Sequence, residues 1–381
     1  MSLVFVGMGF MAFLAATTLA IDIGMFMTAR SQAQNSADAA ALAGAVALGF
    51  DDYADRSADG PAVQNAIEAG TRNQVIGANV SVNPEDVTFP LGPTGVDNRV
   101  SVKVFRTGAR GNPLLTLMGG FFGVDSANME AMATAEASPA NAMTCVKPFI
   151  IPDRWREMTD PPYDPLSSTF EMYDNKDQPL ANPDVYIPAT DKANYTGYNQ
   201  EADRGRQMII RAGSGNNINP TFYYSLAMGV GGEDNPGGLT GGEAYDWNIR
   251  NCNTTVVVWD QIVIQEPGNM VGPTVSGAEE LIAQDPGARW DDGDNKVVGS
   301  AFPAGKSPRL FPIPLYDPPY YAEGKHNGRY ADFKVANFIG YFLERLDGNQ
   351  LVGRIFPIAG IFKSGAPVPA AAFPVVIRLV E

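Results

Sequence analysis

The first 27 residues restrict this chain more than any other stretch. Leu3 to Ala20 (LVFVGMGFMAFLAATTLA) is 18 residues without a charge, and after Asp22 the apolar character resumes from Ile23 to Met27. About 20 consecutive apolar residues match the hydrocarbon thickness of a bilayer, so the sequence predicts a membrane helix. A cleaved secretory signal is the alternative, but it would carry a basic segment ahead of a shorter apolar run. Only Met1 and Ser2 precede this run, and a retained helix is the expectation. Gly7 to Ala12 (GMGFMA) formally fits a dinucleotide-binding fingerprint. That fingerprint needs a strand before it and a helix after it, so here the glycines read instead as a close helix contact. Asp22 has two readings. It lies at the water interface and fixes the depth of the helix, or it pairs with a partner's basic group.

Helix formers continue to residue 50 without a proline, which predicts one long helix. Small residues recur along it at Ala33, Ala37, Ala40 or Ala41, and Gly44. A seam of this kind lets another backbone come close. Either a partner subunit or the chain's own next domain can fill it. The sequence leaves both open.

The remainder predicts an α+β protein with three parts: a membrane and stalk helix over 1–50, a small α+β domain over 51–139, and a mostly-β domain over 140–381. In the second part, Asp59 with Pro61 opens a helix that Gly77 can end. Val100, Val102 and Val104 alternate with polar residues, as in a half-buried strand. The apolar run Pro113–Phe122 reads as a second short helix, and Asn128 to Glu136 as a final strand. In the third part, strands are expected at 207–211, 255–259, 261–264, 297–299, 309–315, 333–343 and 375–380. Thr274 to Gln284 reads as a helix. Gly229 to Gly242 reads as a loop, and the EPGNMVGPT string before the helix as a compound turn.

Counting then removes whole classes of chemistry. With 27 basic against 42 acidic residues the net charge is −15, and no basic run is present. A nucleic-acid partner is not expected, because phosphate neutralisation needs clustered Lys and Arg. One histidine, His326, rules out a multi-histidine metal centre, and two cysteines cannot make a four-ligand zinc site. His326 stands in GKHNG, a polar turn rather than a site for a general base. No G-x-S-x-G is present, so no catalytic residues are assigned and no enzyme activity is expected. Asp291, Asp292 and Asp294 crowd a tight turn and are a weak calcium candidate, lacking the spacing and late glutamate of a calcium loop. No other cofactor is expected. Cys145 and Cys252 would be unpaired core residues in the cytosol and a disulfide outside it.

Read residue by residue, Ala20-Ile-Asp22-Ile-Gly24 and Thr28-Ala-Arg30-Ser-Gln-Ala-Gln-Asn-Ser-Ala-Asp38-Ala-Ala-Ala-Leu-Ala-Gly44-Ala resemble the N-terminal region of the Tad (Flp) pilus-assembly TadG-like family. The likeness covers about residues 3 to 48. The Phe121–Ser126 turn before a Met- and Ala-rich strand is similar in style, and CVKPFIIPDRW and EPGNMVGPT are similar to C-terminal stretches of some such proteins. The resemblance implies an envelope protein in or beside a Tad-type pilus or secretion apparatus, with its bulk outside the cytoplasmic membrane or at the cell surface. It implies no catalytic residues. The von Willebrand-like metal-adhesion pattern D-x-S-x-S found in many members is missing. The expected partners are membrane lipid and other pilus or envelope subunits, bound through the N-terminal helix at Asp22, Ala33, Ala37 and Gly44, with self-association a further option. The competing reading is a surface adhesin whose Tyr223, Tyr224 and Trp247 engage glycan. A periplasmic hydrolase is a third.

Overall fold

The computed structural model describes residues 2–52, 54–92, 97–213, 217–229, 238–268, 270–326 and 332–380. They form a mixed α+β protein of two compact units, Met1–Ser138 with Ile377–Glu381, and Pro139–Val376.

The first unit is organised on α1 (Ser2–Phe50), an unbroken helix of 49 residues. α2 (Pro61–Arg72) starts with proline in its first turn, after Gly60 rather than Asp59, and ends at Asn73. Both helices pack with a four-stranded sheet ordered Val375–Leu379, Met129–Pro139, Arg99–Arg106, Val87–Thr88. The central pair is antiparallel, running in register from Arg99 opposite Glu136 to Arg106 opposite Met129. Val100, Val102 and Val104 are fully buried, as their alternation predicts. Residues 1–50 are therefore not set apart from residues 51–138, since the second half of α1 is part of the same core.

That core is made of Ala and Val, and its helices approach closely because their contact residues are small. A Cβ placed on Gly44 would lie 2.8 Å from Val100 Cγ1 and 3.2 Å from Ala66 Cβ. One on Gly70 of α2 would meet Ala40 Cβ at 3.2 Å, and the Ser36 hydroxyl donates to Gly70 O at 2.8 Å.

The run 113–122 is not a helix. Leu114–Leu115 pairs antiparallel with Ser126–Ala127, and a short 3-10 turn occupies Gly119–Phe122 between them. Consecutive apolar residues without a helical period have no single face to bury, and the Gly119-Gly120 pair weakens a helix further.

The second unit is a closed barrel. Its strands follow the order Asp332–Asp347, Leu310–Tyr316, Phe149–Pro152, Phe222–Ser225, Gln207–Ala212, Gln350–Phe356, and the last pairs back onto the first. Ile262–Ile264 is added beside Asp332–Asp347. Two of the pairings are parallel, Gln207–Ala212 with Phe222–Ser225 and Leu310–Tyr316 with Phe149–Pro152. Closure depends on two glycines. A Cβ on Gly340 would fall 2.1 Å from Phe356 O, and one on Gly353 would fall 2.2 Å from Phe342 O. Phe149, Ile151, Ile210, Phe311, Ile313, Tyr341, Leu351 and Ile355 belong to the buried core, where the helix Val271–Gln284 contributes Ala278 and Leu281.

Two local expectations change here. Residues 230–237 of the Gly-rich stretch lie outside the described residues, but Gly241 onward is a helix, Gly241–Arg250, that buries Tyr245 and Ile249. The backbone at His326 is helical, as the end of Pro318–His326, rather than a turn. Asn269 of the EPGNMVGPT corner also lies outside the described residues; Val271 already belongs to the following helix.

Candidate functional site

The surface that stands out is the first half of α1. Its most apolar window of 18 residues has nothing buried, and the helix is long and apolar enough to cross a membrane. Val4, Phe5, Val6, Met8, Phe10, Met11, Phe13, Leu19 and Met27 all lie open. No atom comes within 4 Å of a Cβ built on Gly7, Gly9 or Gly24. Large apolar side chains in such density do not stay in water on a folded domain. The second half of the same helix is the reverse, with Ala29, Ala33, Ala37, Ala40, Ala41 and Ala45 buried.

Asp22 stands at the change of regime, and it is buried at 6% exposure. Its carboxylate accepts the Leu117 N–H at 2.9 Å and the Met118 N–H at 3.2 Å. These amides lead into the 3-10 turn Gly119–Phe122. Unpaired amides at the start of a helical turn are where an anionic group is best placed. The chain's own hairpin therefore supplies the polar partner that one of the two readings of Asp22 assigns to another subunit.

The hairpin is anchored at its base. Leu114 is in the unit's core, and the buried Arg106 guanidinium donates to Asn112 O at 2.8 Å, Pro113 O at 3.1 Å and Ala78 O at 3.3 Å, with a further bond to Val75 O. Thr116 closes the loop, its N–H donating to Asp125 O at 3.1 Å and its hydroxyl to Val124 O at 2.6 Å.

The seam at Ala33, Ala37 and Gly44 is occupied by the chain itself. Ala33 and Ala37 are buried, and Gly44 lies against Ala62, Ala66 and Val100. The reason is that α2 supplies the small residues that let two helices touch, so among the described residues the chain itself fills the seam.

The calcium candidate is a hairpin turn whose carboxylates are otherwise engaged. Asp291 accepts the Gly293 N–H at 2.9 Å, Asp292 pairs with Arg354 at 3.1 Å and Asp294 with Lys296 at 2.6 Å. Among the described residues no group of three or more His, Cys, Asp or Glu could hold a metal ion. Tyr223 and Tyr224 are buried barrel residues, packed against Phe149 and Phe333, and are not available to a glycan. Trp247 is half-buried on the helix Gly241–Arg250.

Cys145 and Cys252 are bonded to each other. Beside them Lys147 is buried, donating from Nζ to Asn251 O at 3.0 Å and also to Ile249 O. Burial pushes its ammonium down to about 7. Asp153, also buried, accepts from Tyr195 at 2.7 Å, Tyr186 at 2.9 Å and the Tyr198 N–H at 3.1 Å. Desolvation raises its carboxyl to about 6 against the pull of these donors. The tyrosines come from the irregular segment that follows Trp155, and Asn337 of the barrel donates to Tyr195 Oη at 2.8 Å. This network ties an irregular segment to the barrel. A small pocket beside Tyr198, Arg206 and Met208 has about 10 Å³, room for one water.

The sequence reading missed the partner of Asp22, because backbone amides in a hairpin some 95 residues away leave no trace in residue type. The available signal was the absence of any charge from Pro113 to Val124.

Residues 1–47 match the Tad family, described as Flp pilus-assembly TadE/G-like. No curated protein and no solved structure matches the chain.

Proposed function

We propose that this chain is a non-enzymatic, membrane-anchored component of a Tad/Flp-type pilus or secretion apparatus, with the barrel unit outside the cytoplasmic membrane. The observation that carries the reading is the division of α1: one unbroken helix, apolar and open in its first half and locked into a folded unit in its second. That division falls inside the segment matching the pilus-assembly family. A helix of this kind transmits position rigidly from the bilayer to the domain it enters. The Cys145–Cys252 disulfide is the chemistry of an oxidising compartment and supports an extracytoplasmic barrel.

With the Ala33–Gly44 seam filled, contacts to other pilus or envelope subunits, including further copies, go through the open surface of residues 4–27. Gly7 and Gly9 offer the closest approach there. The first test is location. In cells, the full chain should stay with membranes in alkaline carbonate, and protease added to spheroplasts should digest residues 139–376. Release by carbonate, or protection of that unit in intact spheroplasts, would reject the reading. The second test is assembly. Cysteine cross-linking at Met8 or Met11 should trap envelope partners, and replacing Gly7 and Gly9 with Leu should reduce it while the folded units persist.

A further inference from the structure

We infer that the hairpin Pro113–Val124 is a second membrane-contact element, resting in the interfacial layer of the bilayer beside α1. The inference rests on α1 being the membrane helix, and adds to it a site the helix alone does not imply. Four observations converge. Leu115, Leu117, Phe122 and Val124 are exposed at 67%, 64%, 61% and 52%. No charged residue occurs from Pro113 through Val124. The hairpin's height is set by Asp22, whose carboxylate binds Leu117 and Met118. On α1 the first exposed ionisable residue is Arg30, about 12 Å farther along at ~1.5 Å per residue. The hairpin therefore stands level with the end of the open apolar surface, with its exposed Asp125, next to Ser126, as its edge toward water.

The backbone also suits a water-poor layer, where an amide left without a partner has no water to bond to. The N–H groups of Thr116, Gly123 and Val124 donate to Asp125, Gly120 and Gly119 carbonyls, and those of Leu117 and Met118 to Asp22. Asp22 thus removes two orphan amides while those amides remove an orphan carboxylate. Each makes the other tolerable near the hydrocarbon. Lipid, rather than a protein, is the occupant because the patch is continuous with the bilayer-facing surface of α1.

The test uses the full chain in phosphatidylcholine vesicles with single spin labels at Leu117→Cys or Phe122→Cys. The two native cysteines are bonded to each other and take no label. Phe10→Cys serves as the in-bilayer reference, and Val46→Cys, about 36 Å beyond Asp22, as the aqueous one. The ratio of oxygen to nickel-chelate collisions for labels at 117 and 122 should lie between those of the Phe10 and Val46 labels, with nickel access severalfold below that of Val46. Nickel access equal to that of Val46 would overturn the inference, with α1 still in the membrane. Shelter from both reagents would also overturn it, by placing a second copy on the patch. A Phe10 label open to nickel would reject the membrane helix itself, and the hairpin site with it. Asp22→Ala should free the hairpin, raising nickel access at 117 while leaving the Phe10 label unchanged.

Discussion

The two units bury apolar surface by opposite means. The first is assembled from Ala, Gly and Val at close range, so that helix backbones nearly touch across Ser36, Gly44 and Gly70. The second closes a barrel around Phe149, Phe311, Tyr341 and their neighbours, with a disulfide and buried polar ties added. A core of small residues resists enlargement, because there is nowhere for extra atoms to go. A core of large residues resists truncation, because nothing nearby can fill the space left behind. Their surfaces differ in density: the longest exposed run of large apolar side chains is the first half of α1, in the first unit.

Substitutions that respect or violate this contrast should therefore sort by unit. Phe338→Ala should have the largest effect, about 3–5 kcal/mol, because Phe338 is 1% exposed in the barrel core. Hydrogen exchange read by mass spectrometry should rise across the barrel strands and stay unchanged over residues 30–48 and 61–72. Exchange rising equally in both would break the comparison. Cys145→Ser with Cys252→Ser should cost about 2–5 kcal/mol in denaturant melts, because it releases a loop of 107 residues. Loss of the bridge should leave the α1–α2 contact intact.

In the first unit the sensitive change is an addition. Gly44→Leu should cost about 1–3 kcal/mol or more and speed exchange in α1 and α2, whereas Gly44→Ala should be milder. If Gly44→Leu instead left folding untouched and abolished only assembly, the seam would be an intermolecular surface and the packing described above would be wrong. The smallest effect concerns pH. Lys147 is held well below the ordinary lysine value, so between pH 7 and 8 the unfolded chain binds more protons than the folded one. Stability of the barrel unit should rise by about 1 kcal/mol over that interval from this group, and Lys147→Met should remove the rise. An unchanged slope in the variant would show that Lys147 is not desolvated as described.

Much of the first unit was legible in residue order. An uncharged run predicts the exposed half of α1, and the Val100, Val102, Val104 alternation predicts the strand that receives its other half. What was not legible depends on pairings distant in sequence. Whether Ala33, Ala37 and Gly44 face a partner or their own chain is decided by α2 and by Val100, and the residues of α1 read the same either way. Pro113–Phe122 reads as a helix because its apolar content is plain and its turn geometry is not. Tyr223 and Tyr224 looked like a surface pair, but barrel closure puts Phe149–Pro152 against Phe222–Ser225 and buries them. Gly340 and Gly353 carry the closure, and a glycine in a strand does not announce which backbone approaches it.

The strand Val375–Leu379 has a consequence in time. It lies beside Met129–Pro139, where Val380 N–H donates to Thr134 O at 2.9 Å and Arg378 pairs with Glu136 at 2.6 Å. During synthesis α1 appears before the barrel sequence and this strand after it. Until it arrives, the sheet of the first unit has an unpaired edge, which is a site for mispairing. The order of the chain thus makes this strand a check on the barrel sequence made before it. A chain interrupted anywhere in the barrel would be left with that edge still open.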